Sequence, residues 1–231
     1  MTKINKNNQY LNYKDFKHWQ NFFECSEIES TFYSKIFNKI AVQNINFLDV
    51  GFGYGSLLKW ASLNNAKIFG VEIQEDLQVL ARKQNISVFS DVLDIKNQKF
   101  EIITLIDVLE HLDFDHIVLY LDYIFKILNF EGSIIIKIPN CQSAAGLANQ
   151  FGDPTHKTML SGPILFKILS DIGYREVVYK SSPILESKIL LFRLFRRLFS
   201  PFGFLFEIIF RLKYSNFSGP LTPDVVIYAK K

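Results

Sequence analysis

The sequence predicts an α/β protein: a doubly wound, mostly parallel sheet of seven strands, with an N-terminal helical cap and C-terminal amphipathic helices. Two observations carry this. Five short runs rich in Val, Ile and Phe recur between residues 45 and 140, with helix-like segments between them, and that alternation builds parallel βαβ units. The first run, Phe47-Leu48-Asp49-Val50, leads straight into Gly51-Phe52-Gly53-Tyr54-Gly55-Ser56-Leu57-Leu58. A strand, a tight glycine turn and a helix start are the place where an open α/β sheet holds a nucleotide-like ligand. Glycine lets the backbone take positive φ and come close to that ligand.

The elements follow in order. Residues 1–14 are a polar tail, and Asp15–Glu24 and Glu27–Val42 read as helices with Trp19, Phe22 and Phe23 on one side. Together residues 1–44 form the cap, and residues 45–231 the main domain. Lys67-Ile68-Phe69-Gly70-Val71-Glu72-Ile73 is the second strand and ends in an acid. A carboxylate there can accept hydrogen bonds from both ribose hydroxyls of a nucleoside. Ile86–Phe89 is the third strand, followed by Ser90-Asp91-Val92; Phe100–Ile106 is the fourth, followed by Asp107-Val108-Leu109-Glu110-His111-Leu112. Ser133–Asn140 is the fifth and ends in Pro-Asn. Leu160–Ile172 is apolar at helical spacing and stops at Gly173, a C-terminal cap. Tyr174–Tyr179 and Asp224–Ala229 supply the last two strands, the final one antiparallel.

The glycine spacing is G-x-G-x-G. Dinucleotide enzymes use G-x-G-x-x-G, and Ser56 stands where their third glycine would be, which disfavours a nicotinamide oxidoreductase. The spacing, the acids Glu72 and Asp91, D-V-L-E-H-L at 107–112 and Pro139-Asn140 together resemble class I S-adenosylmethionine (SAM)-dependent methyltransferases, over roughly residues 45 to 180. The resemblance implies a Rossmann-like fold with SAM as cofactor, across the carboxyl ends of the first two strands. In that reading Asp49 orients the turn and the donor's amino-acid portion, while Gly51, Phe52, Gly53 and Gly55 form the turn. Glu72 holds the ribose and Ile73 packs on the adenine. Asp91 and Val92 meet the adenine edge, and Asp107 lines the methyl-donor end. Taken singly, Glu72 or Asp91 would most often be a solvated strand end or a helix N-cap.

Composition agrees with a cytoplasmic enzyme. The 231 residues are 48% hydrophobic, enough for one well-buried core and too apolar for disorder. Cys25 and Cys141 stand far apart without C-x-x-C spacing, so neither a disulfide framework nor a zinc site is indicated. Met1–Lys17 lacks the apolar core of a signal peptide. The net charge of +3 is uneven: residues 180–213 carry seven Lys and Arg against two Glu, which leaves −2 for the rest. No broad basic face appears in the core, so nucleic acid is not an expected partner.

Two segments exceed the minimal core. The connection at residues 140–160 contains Phe151-Gly152-Asp153-Pro154-Thr155-His156. Its length at the carboxyl edge of the sheet marks it as the acceptor loop. Its D-x-T-H element resembles a bacterial methyltransferase subgroup associated with surface-glycan and O-antigen biosynthesis. That implies O-methylation of a sugar, with His156, oriented by Asp153, as the base and His111 as the second candidate. The alternative is that Asp153 caps a turn and His156 fixes the loop. Metal is not indicated, because Asp153 and His156 alone are too small a ligand set. His18 and His116 lack supporting context. The second segment, residues 184–214, sets Arg193, Arg196 and Arg197 against Leu190, Leu191, Leu194, Phe195, Leu198 and Phe199, with Pro201 and Gly203 interrupting. This pattern suits a membrane interface, or equally a packed or dimeric face. The acceptor expected is thus a glycan, or else a membrane-associated small molecule such as a quinone precursor. A non-catalytic binding module of the same fold is the third reading.

Overall fold

In the computed structural model, residues 21–38, 40–186 and 219–231 are described throughout, together with Ile189, Leu191, Leu194, Leu198, Phe202, Leu205, Ile208, Ile209, Leu212 and Lys213. Seven strands form one sheet: β1 (Asn46–Val50), β2 (Lys67–Val71), β3 (Ser87–Phe89), β4 (Phe100–Ile106), β5 (Leu128–Pro139), β6 (Arg175–Ser181) and β7 (Asp224–Lys230). Their spatial order is β3-β2-β1-β4-β5-β7-β6. The first five run parallel, and β7 is antiparallel to both β5 and β6. This is the predicted doubly wound mixed sheet, and the order reverses direction at β1 and β4. Such a switch point opens a crevice beyond the carboxyl ends of the strands.

Helices α1 (Glu27–Ile36), α2 (Ser56–Leu63), α3 (Glu75–Lys83), α4 (Phe114–Ile127), α5 (Ala144–Phe151) and α6 (Gly162–Ile172) connect them. Two of their ends show the local cause. Ser26 and Glu29 form a reciprocal capping box at the start of α1. Gly173 ends α6 with φ 110°, as its position predicts. The parallel strands are covered on both faces, so two apolar clusters sandwich the sheet. One gathers Leu48, Val50, Leu105, Ile134 and Ile136 with α4 and α6. The other gathers Phe47, Phe52, Leu58, Trp60, Ile102 and Ile135 with Tyr33, Ile36 and Phe37 of the α1 region.

Several expected boundaries move. The helix expected at Asp15–Glu24 lies outside the described residues up to position 20, and Asn21–Phe23 form a turn with Asn21 and Phe23 at positive φ. The helix expected to reach Val42 stops at Ile36. Strand β5 begins five residues before the expected Ser133. The 140–160 connection contains α5, started by Ser143 accepting from the Gly146 amide at 2.9 Å. The arginine stripe at 193, 196 and 197 lies outside the described residues. Leu191, Leu194, Leu198, Phe202, Leu205, Ile208, Ile209 and Leu212 carry helical backbone and exposed side chains. No helix among the described residues is long and apolar enough to cross a membrane.

Candidate active site

The donor side begins at the end of β1. Pairing places Asp49 opposite Thr104 on one side and Gly70 on the other. The Thr104 hydroxyl donates to Asp49 Oδ1 at 2.7 Å. Burial pushes the Asp49 carboxyl up to about 7 against that hydrogen bond, and the Glu72 charge adds to the rise. Gly51, Gly53 and Gly55 all adopt positive φ. A Cβ on Gly51 would lie 2.6 Å from Val108 Cγ2, and one on Gly55 would lie 2.4 Å from the Phe23 ring. The turn is therefore clamped between the motif after β4 and the segment before α1. The Phe23 amide also donates to the Tyr54 carbonyl at 2.8 Å.

Glu72 follows β2 and braces the turn. Its Oε2 accepts from the Gly53 amide at 3.1 Å and its Oε1 from the Gln74 amide at 3.0 Å. The Ile73 amide also acts on this carboxylate, which leaves acceptor capacity for a ligand hydroxyl. Burial raises this carboxyl as well. Among the described residues neither Asp49 nor Glu72 faces a Lys or Arg at ion-pair distance. Two buried acids without a protein cation suit a ligand that brings both positive charge and hydroxyls. Ile73 is 53% exposed beside them, an apolar surface fit for a flat base. Phe52 and Val92 turn their side chains into the core, so only their backbones remain to serve a ligand. Asp91 is occupied: Oδ1 accepts from the Leu93 amide at 2.9 Å and Oδ2 from the Tyr120 hydroxyl at 2.7 Å. Asp107 sits at φ 55° after β4 and pairs with Lys137 at 2.7 Å, which also reaches Asp224 at 3.1 Å.

The acceptor side is built where the 140–160 connection docks on the turn after β4. The Lys157 and Thr158 amides donate to the Glu110 carbonyl at 2.7 and 3.1 Å, and the Thr158 hydroxyl donates to the Leu112 carbonyl at 2.6 Å. These bonds bring His111 and His156 together, ring centroids 4.7 Å apart and nearly edge to face. The Thr155 hydroxyl gives its proton to Asp153 Oδ1 at 2.6 Å and meets His111 Nδ1 at 2.8 Å. It therefore accepts from His111, which fixes the proton on Nδ1. Asp153 meets His156 at ion-pair range and not by a hydrogen bond: its Oδ1 takes the Thr155 amide at 2.9 Å, and its Oδ2 is 3.9 Å from His156 Nε2. Instead His156 Nδ1 donates to the Gln150 carbonyl at 2.9 Å. In its neutral form, that turns the lone pair of Nε2 toward Asp153 and toward Glu110, whose Oε1 lies 4.0 Å away.

Residues 25–178 match the methyltransferase domain family. The chain belongs to that family. Comparison with curated protein sequences gave no match. Among solved structures the methyltransferase is similar to a SAM-dependent methyltransferase from Archaeoglobus fulgidus, 20% identical over 96% of this chain and 99% of that one, with a TM-score of 0.67. It is also similar to the N-methyltransferase NodS from Bradyrhizobium japonicum in complex with S-adenosyl-L-homocysteine, 12% identical over 89% and 88% of the two chains, TM-score 0.56. An O-methyltransferase family protein from Burkholderia thailandensis is 11% identical over 88% of this chain and 57% of that one, TM-score 0.58. At such identities the likeness is one of fold.

Sequence spacing did not single out Glu110, the residue that joins the two histidines of the methyltransferase. It is fully buried, and neither side-chain oxygen has a hydrogen-bond partner. Burial, then the neighbouring Asp107 charge, pushes its carboxyl well above the usual range. The E-H pair inside D-V-L-E-H-L was the available signal, but only the fold brings His156 against it. Lys137 was likewise invisible as a site residue, since a lysine inside an apolar strand carries no pattern of its own, and Thr155 stood inside D-x-T-H without a role assigned to it.

Proposed function

We propose that this methyltransferase moves the methyl group of SAM to an oxygen of a sugar, in a bacterial cell-surface polysaccharide or its precursor. When bound, SAM supplies an electrophilic methyl on a sulfonium. Asp49 attracts the cationic amino-acid end, and the glycine turn admits it. Glu72 accepts from the ribose hydroxyls, Ile73 covers the adenine, and the Asp91–Val92 backbone lies at its edge. Asp107 borders the methyl end beside Val108, which touches Gly51. The single observation that carries the donor assignment is the pair of buried acids, Asp49 and Glu72, set over the turn with no Lys or Arg at ion-pair distance among the described residues.

The oxygen acceptor is favoured by the imidazole and carboxylate groups gathered where the acceptor loop docks. A sugar hydroxyl is a poor nucleophile at neutral pH, and a base within reach is worth roughly 10²–10⁴-fold. His156 Nε2 is that base in the simplest form of this reading. His111 is the second candidate, and Asp153 positions the loop through Thr155.

A second reading, methylation of a membrane-associated small molecule such as a quinone precursor, is favoured by the exposed apolar side chains between Leu191 and Leu212. With Arg193, Arg196 and Arg197 in the same stretch, residues 184–214 would hold the enzyme on an anionic inner membrane face in either case. The test is transfer of labelled methyl from SAM into fractionated extracts, with Gly53→Arg as the donor-site control. Label in polysaccharide or lipid-linked glycan supports the first reading, and label in the quinone lipid fraction promotes the second. SAM binding retained at micromolar affinity by Gly53→Arg would refute the donor site. Vesicles containing anionic lipid should retain the wild type and release the variant with all three arginines changed to Glu. A wild type that never binds them ends the membrane assignment.

A further inference from the structure

Glu110 poses a problem that hydrogen bonding does not solve. An ionised carboxylate that is fully buried needs donors or a cation; a protonated one needs an acceptor for its proton. Both Glu110 oxygens have no hydrogen-bond partner, and leaving such a group unpaired is among the costlier faults a core can carry. The Lys137 cation acts on it from a distance but is itself paired with Asp107 and Asp224; within 4.0 Å stands His156 Nε2, which in turn lies 3.9 Å from Asp153 Oδ2. These separations are too long for hydrogen bonds. One ligand atom from each of Glu110, His111 and His156 lies within 4.8 Å of the others.

The 4.0 and 3.9 Å separations are of the size a metal ion spans, and the third ligand stands close enough to close on it with a small side-chain shift. Zinc binds imidazole nitrogen and carboxylate oxygen at about 2.0–2.2 Å, so two ligands of one ion stand about 3.4 Å apart at a tetrahedral angle and about 4.2 Å apart when opposed. The supporting shell is also in place. Both histidines have their outer nitrogen engaged, Nδ1 of His156 by the Gln150 carbonyl and Nδ1 of His111 by the Thr155 hydroxyl. That is how ligating imidazoles are oriented and their tautomer set. Asp153, holding Thr155, would be the outer carboxylate.

We propose that Glu110, His111 and His156 bind a divalent first-row transition ion, with Asp153 as a fourth or outer ligand. Two imidazoles with carboxylate oxygen suit zinc, manganese or iron better than magnesium or calcium, which take oxygen almost alone. The inference rests on the reading that this cluster serves the acceptor, and it changes the part His156 plays. With an ion present, His156 holds the ion. The acceptor hydroxyl enters a remaining coordination position, and its proton leaves to water because the ion lowers its pKa. Methyl transfer then needs no protein base.

The test uses the full chain, stripped with a chelator and dialysed. Titration with zinc or manganese by calorimetry should show one ion per chain, a rise in Tm of several degrees, and far weaker binding of magnesium. Glu110→Gln, nearly isosteric and free of the buried charge, should weaken zinc binding by more than about 100-fold, since even outer-shell changes cost 10–100-fold. If that variant does not fold, His156→Gln serves the same comparison. SAM affinity measured separately should be unchanged in the variants, so a failed metal site and a failed donor site give different results. Absence of stoichiometric binding of any of these ions, or equal zinc affinity in wild type and Glu110→Gln, overturns the proposal.

Discussion

Asp49 offers the sharpest quantitative test of the donor site. Its carboxyl rises from an ordinary 3.8 to about 7 because it is buried, with only the Thr104 hydroxyl to offset this and the Glu72 charge beside it. A rise of that size corresponds to roughly 4 kcal/mol of destabilisation when the group is ionised. The sign follows from proton binding. Between about pH 4 and pH 7 the native state holds a proton that the unfolded chain has lost, so the contribution of Asp49 to stability falls with rising pH and levels off above pH 7. Asp49→Asn keeps the shape and an oxygen for Thr104 but removes the charge. It should be more stable than wild type at pH 8 and lose most of that advantage by pH 4; urea unfolding at the two pH values measures it. A cationic donor reverses the penalty. Wild-type affinity for SAM should improve as pH rises toward 7, by up to about tenfold per unit, and flatten above pH 8. Asp49→Asn should bind more weakly at pH 8 and show less pH dependence. Glu72 is present in both proteins, so the difference isolates Asp49. Parallel affinity profiles would refute its assignment to the cationic end of the donor.

Further outcomes concern the acceptor side. A Cβ on Gly146 would lie 2.0 Å from the Asn140 carbonyl oxygen and 2.7 Å from that of Pro223; both are backbone and cannot rotate aside. Gly146→Ala should displace α5, lower methyl transfer at least tenfold and leave SAM affinity within about twofold, as calorimetry can check. Lys137→Met removes the buried cation that reaches the half-exposed Asp107 and the partly buried Asp224; two charge-assisted hydrogen bonds at about 1.5 kcal/mol each contribute about 3 kcal/mol together. Thermal unfolding should register a drop of roughly 6–12 °C, and an unchanged Tm would deny the triad its structural role.

The fold was legible because parallel strands buried on both faces leave an unbroken apolar run, and each run here ends in a distinctive polar residue. Asp49, Glu72 and Asp107 all stand just at or beyond the carboxyl ends of their strands, as read from sequence. The last strand was placed correctly at Asp224 despite the long preceding segment, because Val225-Val226-Ile227 alternates with nothing polar. What failed was detail set by tertiary contact. Nothing in Asn21-Phe22-Phe23-Glu24 forbids a helix; docking of the Phe23 ring over Gly55 makes it a turn. The Leu128–Phe130 start of β5 follows directly on α4 without a glycine or proline between them, so periodicity alone gives no boundary.

The acceptor side shows the limit of spacing more plainly. Asp153 and His156 stand three apart and invite a direct acid–imidazole pair, yet the preference of Asp for capping its own loop won, and it bonds Thr155 twice. The imidazole was left to a carbonyl six residues back. A second carboxylate stands as near His156 as Asp153 does, 4.0 Å against 3.9 Å: Glu110, carried by the turn after β4 and separated from the loop by α4 and β5. Buried charge therefore separates the two explanations of this cluster better than sequence distance does. If the histidines only fixed the loop, an apolar or amide side chain at position 110 would serve better than a buried carboxyl whose oxygens have no hydrogen-bond partner. Retaining the acid is costly to the folded chain, and a cation bound between the three side chains is the arrangement in which that cost becomes binding energy.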